Sequence, residues 1–142
     1  MKHYYIAFAA ALLASGCATT STTAPTAATV APAQAVGDIA DAYIKLTLEA
    51  GTHEAEYVDA YYGPAGLQDA AKMKPRSLVD LIAEARALTA AVDSALPQIS
   101  SETDRRRASA LRGMLVAAET RLQMLQGKKF AFNDEAKGQF AT

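Results

Sequence analysis

The fold is decided by residues 77–97, Ser77-Leu78-Val79-Asp80-Leu81-Ile82-Ala83-Glu84-Ala85-Arg86-Ala87-Leu88-Thr89-Ala90-Ala91-Val92-Asp93-Ser94-Ala95-Leu96-Pro97. Ser77 followed three residues later by Asp80 resembles a capping box, in which the serine oxygen accepts an orphan backbone N–H of a helix's first turn. Leu78, Leu81, Ile82, Ala85, Leu88, Val92 and Leu96 then recur at intervals of three and four, so they line one face of a 3.6-residue helix. Pro97, which lacks an amide hydrogen, marks the end of that helix. Beyond it, Ser101 or Thr103 caps a second run in which Ala108, Leu111, Leu115, Ala118, Leu122 and Leu125 keep the same spacing, and Gly127 closes it. Two amphipathic helices joined by a short turn predict an antiparallel hairpin with a coiled-coil-like seam.

Working outward, residues 38–73 continue the helical period. Asp38 with Asp41 resembles a capping box, Ile39, Tyr43, Leu46 and Ala50 share a face, and Gly51 stops the helix. Thr52 is expected to cap another helix with Glu54 in its first turn, carrying Tyr57, Val58, Tyr61 and Tyr62 as an aromatic stripe up to Gly63-Pro64. A short helix is expected over Ala65 to Met73 and another near the end, capped at Asn133. Phe130, Phe132 and Phe140 flank that last helix, either to fold back on the hairpin or to meet a larger body. With no convincing strand alternation, the predicted fold class is all-α: a small helix bundle over residues 38–142.

The first residues read differently. Met1-Lys2-His3 precedes about ten apolar residues, Tyr4 to Leu13, and then Leu13-Ala14-Ser15-Gly16-Cys17. The apolar run falls well short of the roughly 20 residues needed to span a bilayer core. It reads as an export signal over residues 1–16. The small residues before the cysteine resemble the bacterial lipobox, in which the thiol accepts a lipid and becomes the new N-terminus. The match departs in one place: Leu13 lies four residues before Cys17, and Ala14 stands where leucine is usual. Cys17 is the single cysteine of 142 residues, which rules out an internal disulfide and a cysteine-rich zinc site. Several acyl chains such as palmitate on Cys17 would anchor the chain stably, where one chain binds only marginally. By the same resemblance, Ala18 after the cysteine implies the outer membrane, with the domain facing the periplasm.

Residues 17–37 then form a tether rich in Thr, Ala, Ser and Pro and devoid of charge before Asp38. Such a composition buries too little apolar surface to offset ordering entropy. As a random coil the 19 residues from 18 to 36 reach roughly 25 Å on average and about 60 Å when extended.

Lys plus Arg number 14 against 15 Asp plus Glu, a net charge of −1 that gives no reason to propose nucleic acid as a partner. Arg105-Arg106-Arg107 is the one basic cluster, a candidate partner-binding patch whose simpler reading is a solvated helix face. His53-Glu54-Ala55-Glu56-Tyr57 invites a metal reading, but a zincin needs a second histidine where Tyr57 stands. The other histidine, His3, lies in the signal. No Gly-x-Ser-x-Gly elbow and no phosphate-binding glycine loop occur. No metal, cofactor or catalytic residue is expected in this chain.

The string His53-Glu54-Ala55-Glu56-Tyr57-Val58-Asp59-Ala60-Tyr61-Tyr62-Gly63-Pro64 resembles the N-terminal signature of a family of larger, mostly helical bacterial lipoproteins that are themselves similar to zinc metallopeptidases. The segment Phe132-Asn133-Asp134-Glu135-Ala136, after a helical hairpin, resembles a second stretch of that family. The resemblance covers about residues 38–142. It implies a zinc motif of the HExxH or HEAYPGHH kind further along the family's chain, with no counterpart here. Three readings follow. The first is a membrane-anchored helical domain without catalysis of its own, corresponding to the front of a metallopeptidase-like protein. The second is part of a periplasmic zinc hydrolase whose catalytic region lies outside this chain. The third is an envelope interaction module using Tyr57, Tyr61 and Tyr62 or Arg105, Arg106 and Arg107.

Overall fold

The computed structural model describes residues 31–140. Cys17, the signal over 1–16 and tether residues 18–30 lie outside the described residues. Five helices follow one another: α1 (Pro32–Ala50), α2 (Ala65–Met73), α3 (Leu78–Ala95), α4 (Glu102–Leu125) and α5 (Phe132–Phe140), with a 3₁₀ turn at Leu96–Gln98. Among the described residues there is no strand. The all-α expectation holds.

The hairpin forms as its caps dictate. Ser77 Oγ accepts the Asp80 N–H at 3.2 Å and donates to Asp80 Oδ2 at 2.6 Å, and Ser101 Oγ accepts the Asp104 N–H at 3.3 Å. Gly127 takes φ +97°, and the N–H groups of Gly127 and Lys128 close back on the carbonyls of Met124 and Gln123, a Schellman ending for α4. The seam is flanked by ion pairs between α3 and α4, Arg86–Glu119 at 2.7 Å and Arg112–Asp93 at 2.6 Å.

Helix α1 lies across this hairpin, antiparallel to α3 and parallel to α4, and completes a three-helix core in two layers. One layer joins Leu46 and Ala50 of α1 to Leu81, Ile82 and Ala85 of α3 and Ala118 and Leu122 of α4. The other joins Ile39 to Val92, Ile99, Ala108, Leu111 and Leu115. Tyr43 and Leu88 touch both layers. Apart from Ile99, which follows the 3₁₀ turn, these are residues whose 3.6 period marked them as the core.

Three expectations are corrected. Helix α1 begins at Pro32, so residues 32–37, assigned to the tether, are helical, and Asp38 caps nothing: its Oδ1 accepts from Gln34 one turn earlier. Proline suits the first helical position, where its missing N–H has no partner to lose, and Val36 packs on the second core layer. Second, Gly51–Pro64 forms no helix. Thr52 Oγ1 donates to the Glu49 carbonyl at 2.7 Å, tying off α1 instead of capping a successor. Third, α5 starts at Phe132, and Asn133 lies inside its first turn, with the Asp134 and Glu135 N–H groups bonded to the Ala131 carbonyl.

Helix α5 folds back on α4 through Glu135, Ala136, Gly138 and Gln139. It packs on α4, where Thr120 and Gln123 are buried polar residues. Gln123 stays satisfied, donating to Glu119 and accepting from Lys128 Nζ at 2.6 Å. The closest approach is at Gly138, where a Cβ would stand 2.5 Å from Thr120 Oγ1 and 2.7 Å from its methyl group. Thr120 is buried and β-branched, so it has little room to turn. Gly138→Ala is therefore expected to lift α5 off α4. Amide hydrogen exchange should quicken at least tenfold in residues 132–140 while the α3–α4 amides keep their protection; unchanged exchange in α5 would contradict this docking.

Candidate functional site

The segment that drew a metal reading is a 14-residue connection, Gly51 to Pro64, between α1 and α2. Connections of this length without secondary structure are uncommon in small domains and are usually functional or disordered. This one is pinned near its start. His53 Nε2 sits 2.7 Å from the Arg76 carbonyl, and since a carbonyl only accepts, Nε2 carries the proton. Glu54 receives the Arg121 guanidinium of α4 through both carboxylate oxygens, the Nε bond measuring 2.8 Å. Beneath the connection, Arg76 bridges two helices: its Nε and Nη2 donate to Glu49 at 2.7 and 2.8 Å, and Nη1 meets Glu84 Oε2 at 2.5 Å. Glu84 Oε2 is fully buried, and Arg76 is the cation that faces it.

The electrostatics follow from these partners. The hydrogen bond from Arg121, aided by its charge and opposed by partial burial, holds the Glu54 carboxyl below its ordinary range. A depressed folded value means that this clasp stabilises above the ordinary carboxylate pKa and is lost as pH falls through the lowered one. Arg76 is driven the other way, further above its usual value, chiefly by its hydrogen bond to Glu49.

The three tyrosines diverge. Tyr57 turns inward beside the first core layer, Tyr61 is half-buried with its hydroxyl donating to the Pro64 carbonyl at 3.4 Å, and Tyr62 is 96% exposed. They make no common stripe, because no helix aligns them. Burial pushes the Tyr57 hydroxyl up to about 12, with Tyr43 and Glu54 adding to the rise and Arg121 opposing it. The sign is clear: stability from the neutral phenol is whole below the unfolded value near 10 and is lost as pH rises through about 12. A phenolate absorbance titration should show a last step near pH 12 that Tyr57→Phe removes; a last step unchanged in that variant would count against it.

Arg105, Arg106 and Arg107 are exposed and locally paired. The first two meet Glu102 at 2.9 and 3.0 Å, and Arg107 meets Asp104 at 3.4 Å. The hydrogen bonds of Arg105 and Arg106 to Glu102 lower its carboxyl below the ordinary range. The arrangement offers an outside anion less charge than three adjacent arginines suggest.

Among the described residues no group of three or more His, Cys, Asp or Glu is placed to hold a metal ion. The residues that organise the connection, Glu49, Arg76, Glu84 and Arg121, were not singled out by sequence reasoning. The Arg76–Glu49 and Arg121–Glu54 pairs span 27 and 67 residues of the chain, beyond any local spacing rule.

A second surface lies on α5. Phe132 is 85% exposed and Phe140 74%, whereas the same helix turns Gln139 inward to Met124 Sδ at 3.2 Å. Phe130 is half-buried beneath Lys128, whose ammonium stands 4.5 Å from the ring centroid. Folding back and solvent exposure thus coexist: the helix docks, and two of its aromatic rings do not.

Comparison with known protein families, characterised proteins and solved structures gives no match. No helix of the described residues is long and apolar enough to cross a membrane.

Proposed function

We propose that this chain is a lipid-anchored helical domain of the bacterial cell envelope, held at the outer membrane by Cys17 and without catalysis of its own. It corresponds to the front part of a metallopeptidase-like protein. The observation that carries this reading is the orientation of α5, which docks by a largely polar face and turns Phe132 and Phe140 to solvent. Exposed large aromatics are common at surfaces that meet another protein body. The state of His53 and Glu54 agrees with a scaffold role, since Arg76 and Arg121 already engage them. Tyr62, almost wholly exposed, supports a second reading as an envelope interaction module.

Two measurements test the proposal. The native chain should incorporate radioactive palmitate and sediment with outer membranes, and Cys17→Ser should do neither; labelling that persists in the variant would sink the anchor. A dye that fluoresces on apolar surface should bind the folded chain and lose most of its signal in a Phe132→Ser, Phe140→Ser variant. Absence of dye binding would sink the aromatic docking face.

A further inference from the structure

The end of α1, the Gly51–Pro64 connection, α2 and Pro75 enclose a half-open cavity of about 580 Å³. That volume lies within the range of about 300–1,000 Å³ usual for small-molecule sites. Leu48, Val58 and Pro75 supply an apolar wall, and Thr52, Gln68 and Lys72 supply the polar groups. The lining bears one full charge, the Lys72 ammonium, and no carboxylate. Among the described residues Lys72 meets no carboxylate within ion-pair distance. The Thr52 hydroxyl hydrogen is taken by the Glu49 carbonyl, so its oxygen remains an acceptor, while among the described residues the Gln68 amide makes no side-chain hydrogen bond.

We infer that this cavity binds a small amphipathic carboxylate, with its apolar body on Leu48, Val58 and Pro75 and its anionic head on Lys72 and Gln68. The competing account is a water-filled gap, with Lys72 simply favouring the negative end of α2, in whose last turn it sits. Two features favour a ligand. The part of the connection that lines the cavity lies around two clasps, His53 to Arg76 and Glu54 to Arg121, which hold that stretch before any ligand arrives and lower the ordering cost of binding. The combination of apolar lining residues with a single cation selects an amphipathic anion over a purely polar solute. The carbonyl ends of α1 and α2 each oppose an anion here with about half a charge, so the carboxylate has to be met by the Lys72 ammonium itself.

The test uses the full chain in phospholipid nanodiscs, titrated with octanoate, octanol and octylammonium and followed by amide chemical shifts. Octanoate should saturate with a Kd of about 0.1–1 mM, moving the resonances of Gly51, Thr52, Val58 and Lys72. Octanol and octylammonium should bind at least about tenfold more weakly. Lys72→Gln, at an exposed position, should reduce octanoate to the affinity of octanol, and Ala55→Trp, at another exposed lining residue, should abolish both. Circular dichroism and the melting temperature of each variant establish that the fold is kept. Absence of saturable shifts at the cavity, equal affinity for all three probes, or octanoate binding untouched by Lys72→Gln would each overturn the proposal. None of these outcomes bears on the lipid anchor or on the α5 face.

Discussion

Truncation of Leu81 to alanine is expected to lower the unfolding free energy by about 3–4 kcal/mol. The side chain is fully buried between α1, α3 and α4. Leu→Ala substitutions in cores range from about 2 to 5 kcal/mol according to how far the surroundings collapse into the cavity. Here the neighbours include Ala50, Ala85 and Ala118, whose side chains are too short to move in. The loss therefore falls in the upper part of the range. For a bundle of this size it corresponds to a fall in Tm of about 10–20 °C. Urea unfolding should show the midpoint drop with an unchanged slope. Val79→Ala, two residues earlier and 60% exposed, should change stability by less than about 0.5 kcal/mol. Equal effects at the two positions would mean that α3 presents a different face to the core.

The second large effect is expected at Arg76. Arg76→Met keeps an apolar stem of similar reach but removes the cation between Glu49 and Glu84, whose side chains are only 14% and 27% exposed. Removing one partner of a buried ion pair costs about 3–5 kcal/mol because the remaining charge is left without compensation. The Arg76 side chain is itself 38% exposed, so water screens part of that and about 2–3 kcal/mol is the expected loss. A double variant decides the cause. Adding Glu49→Gln to Arg76→Met relieves the repulsion between the two carboxylates and should recover about 1 kcal/mol or more. If the second substitution instead adds its own full cost, the triad is not a coupled unit. Because the His53 imidazole is held by the Arg76 main chain, its bond should survive the side-chain change.

How legible the chain was differs from element to element. The hairpin was legible because everything that specifies it is local: Ser77 and Ser101 as caps, Pro97 as a stop, Gly127 as the left-handed ending, and apolar residues every three or four positions between them. The short helix Ala65–Met73 was legible for the same reason, lying between Gly63-Pro64 and Pro75. The start of α1 was misplaced because Pro32 and the Thr/Ala-rich stretch signal a tether locally, while the contact of Val36 with the core layer, which extends the helix, is tertiary. The helix expected after Thr52 fails for a related reason. His53 and Glu54 would suit a helix's first turn, but Arg76 and Arg121 draw their side chains in different directions.

The sequence by itself determined that the described residues have an all-α fold, which residues make the hairpin seam, and that Cys17 is the one thiol of the chain. Helical period and capping act within a few residues, so they can be read from spacing alone. Only the tertiary structure decided that the His53–Pro64 string is a clasped connection, that Tyr57 packs half-buried on the core while Tyr62 is bare, and that α5 docks with its two phenylalanines outward. Those outcomes rest on ion pairs and packing between residues tens of positions apart. Their strength depends on burial and geometry, which exist only once the three core helices have come together.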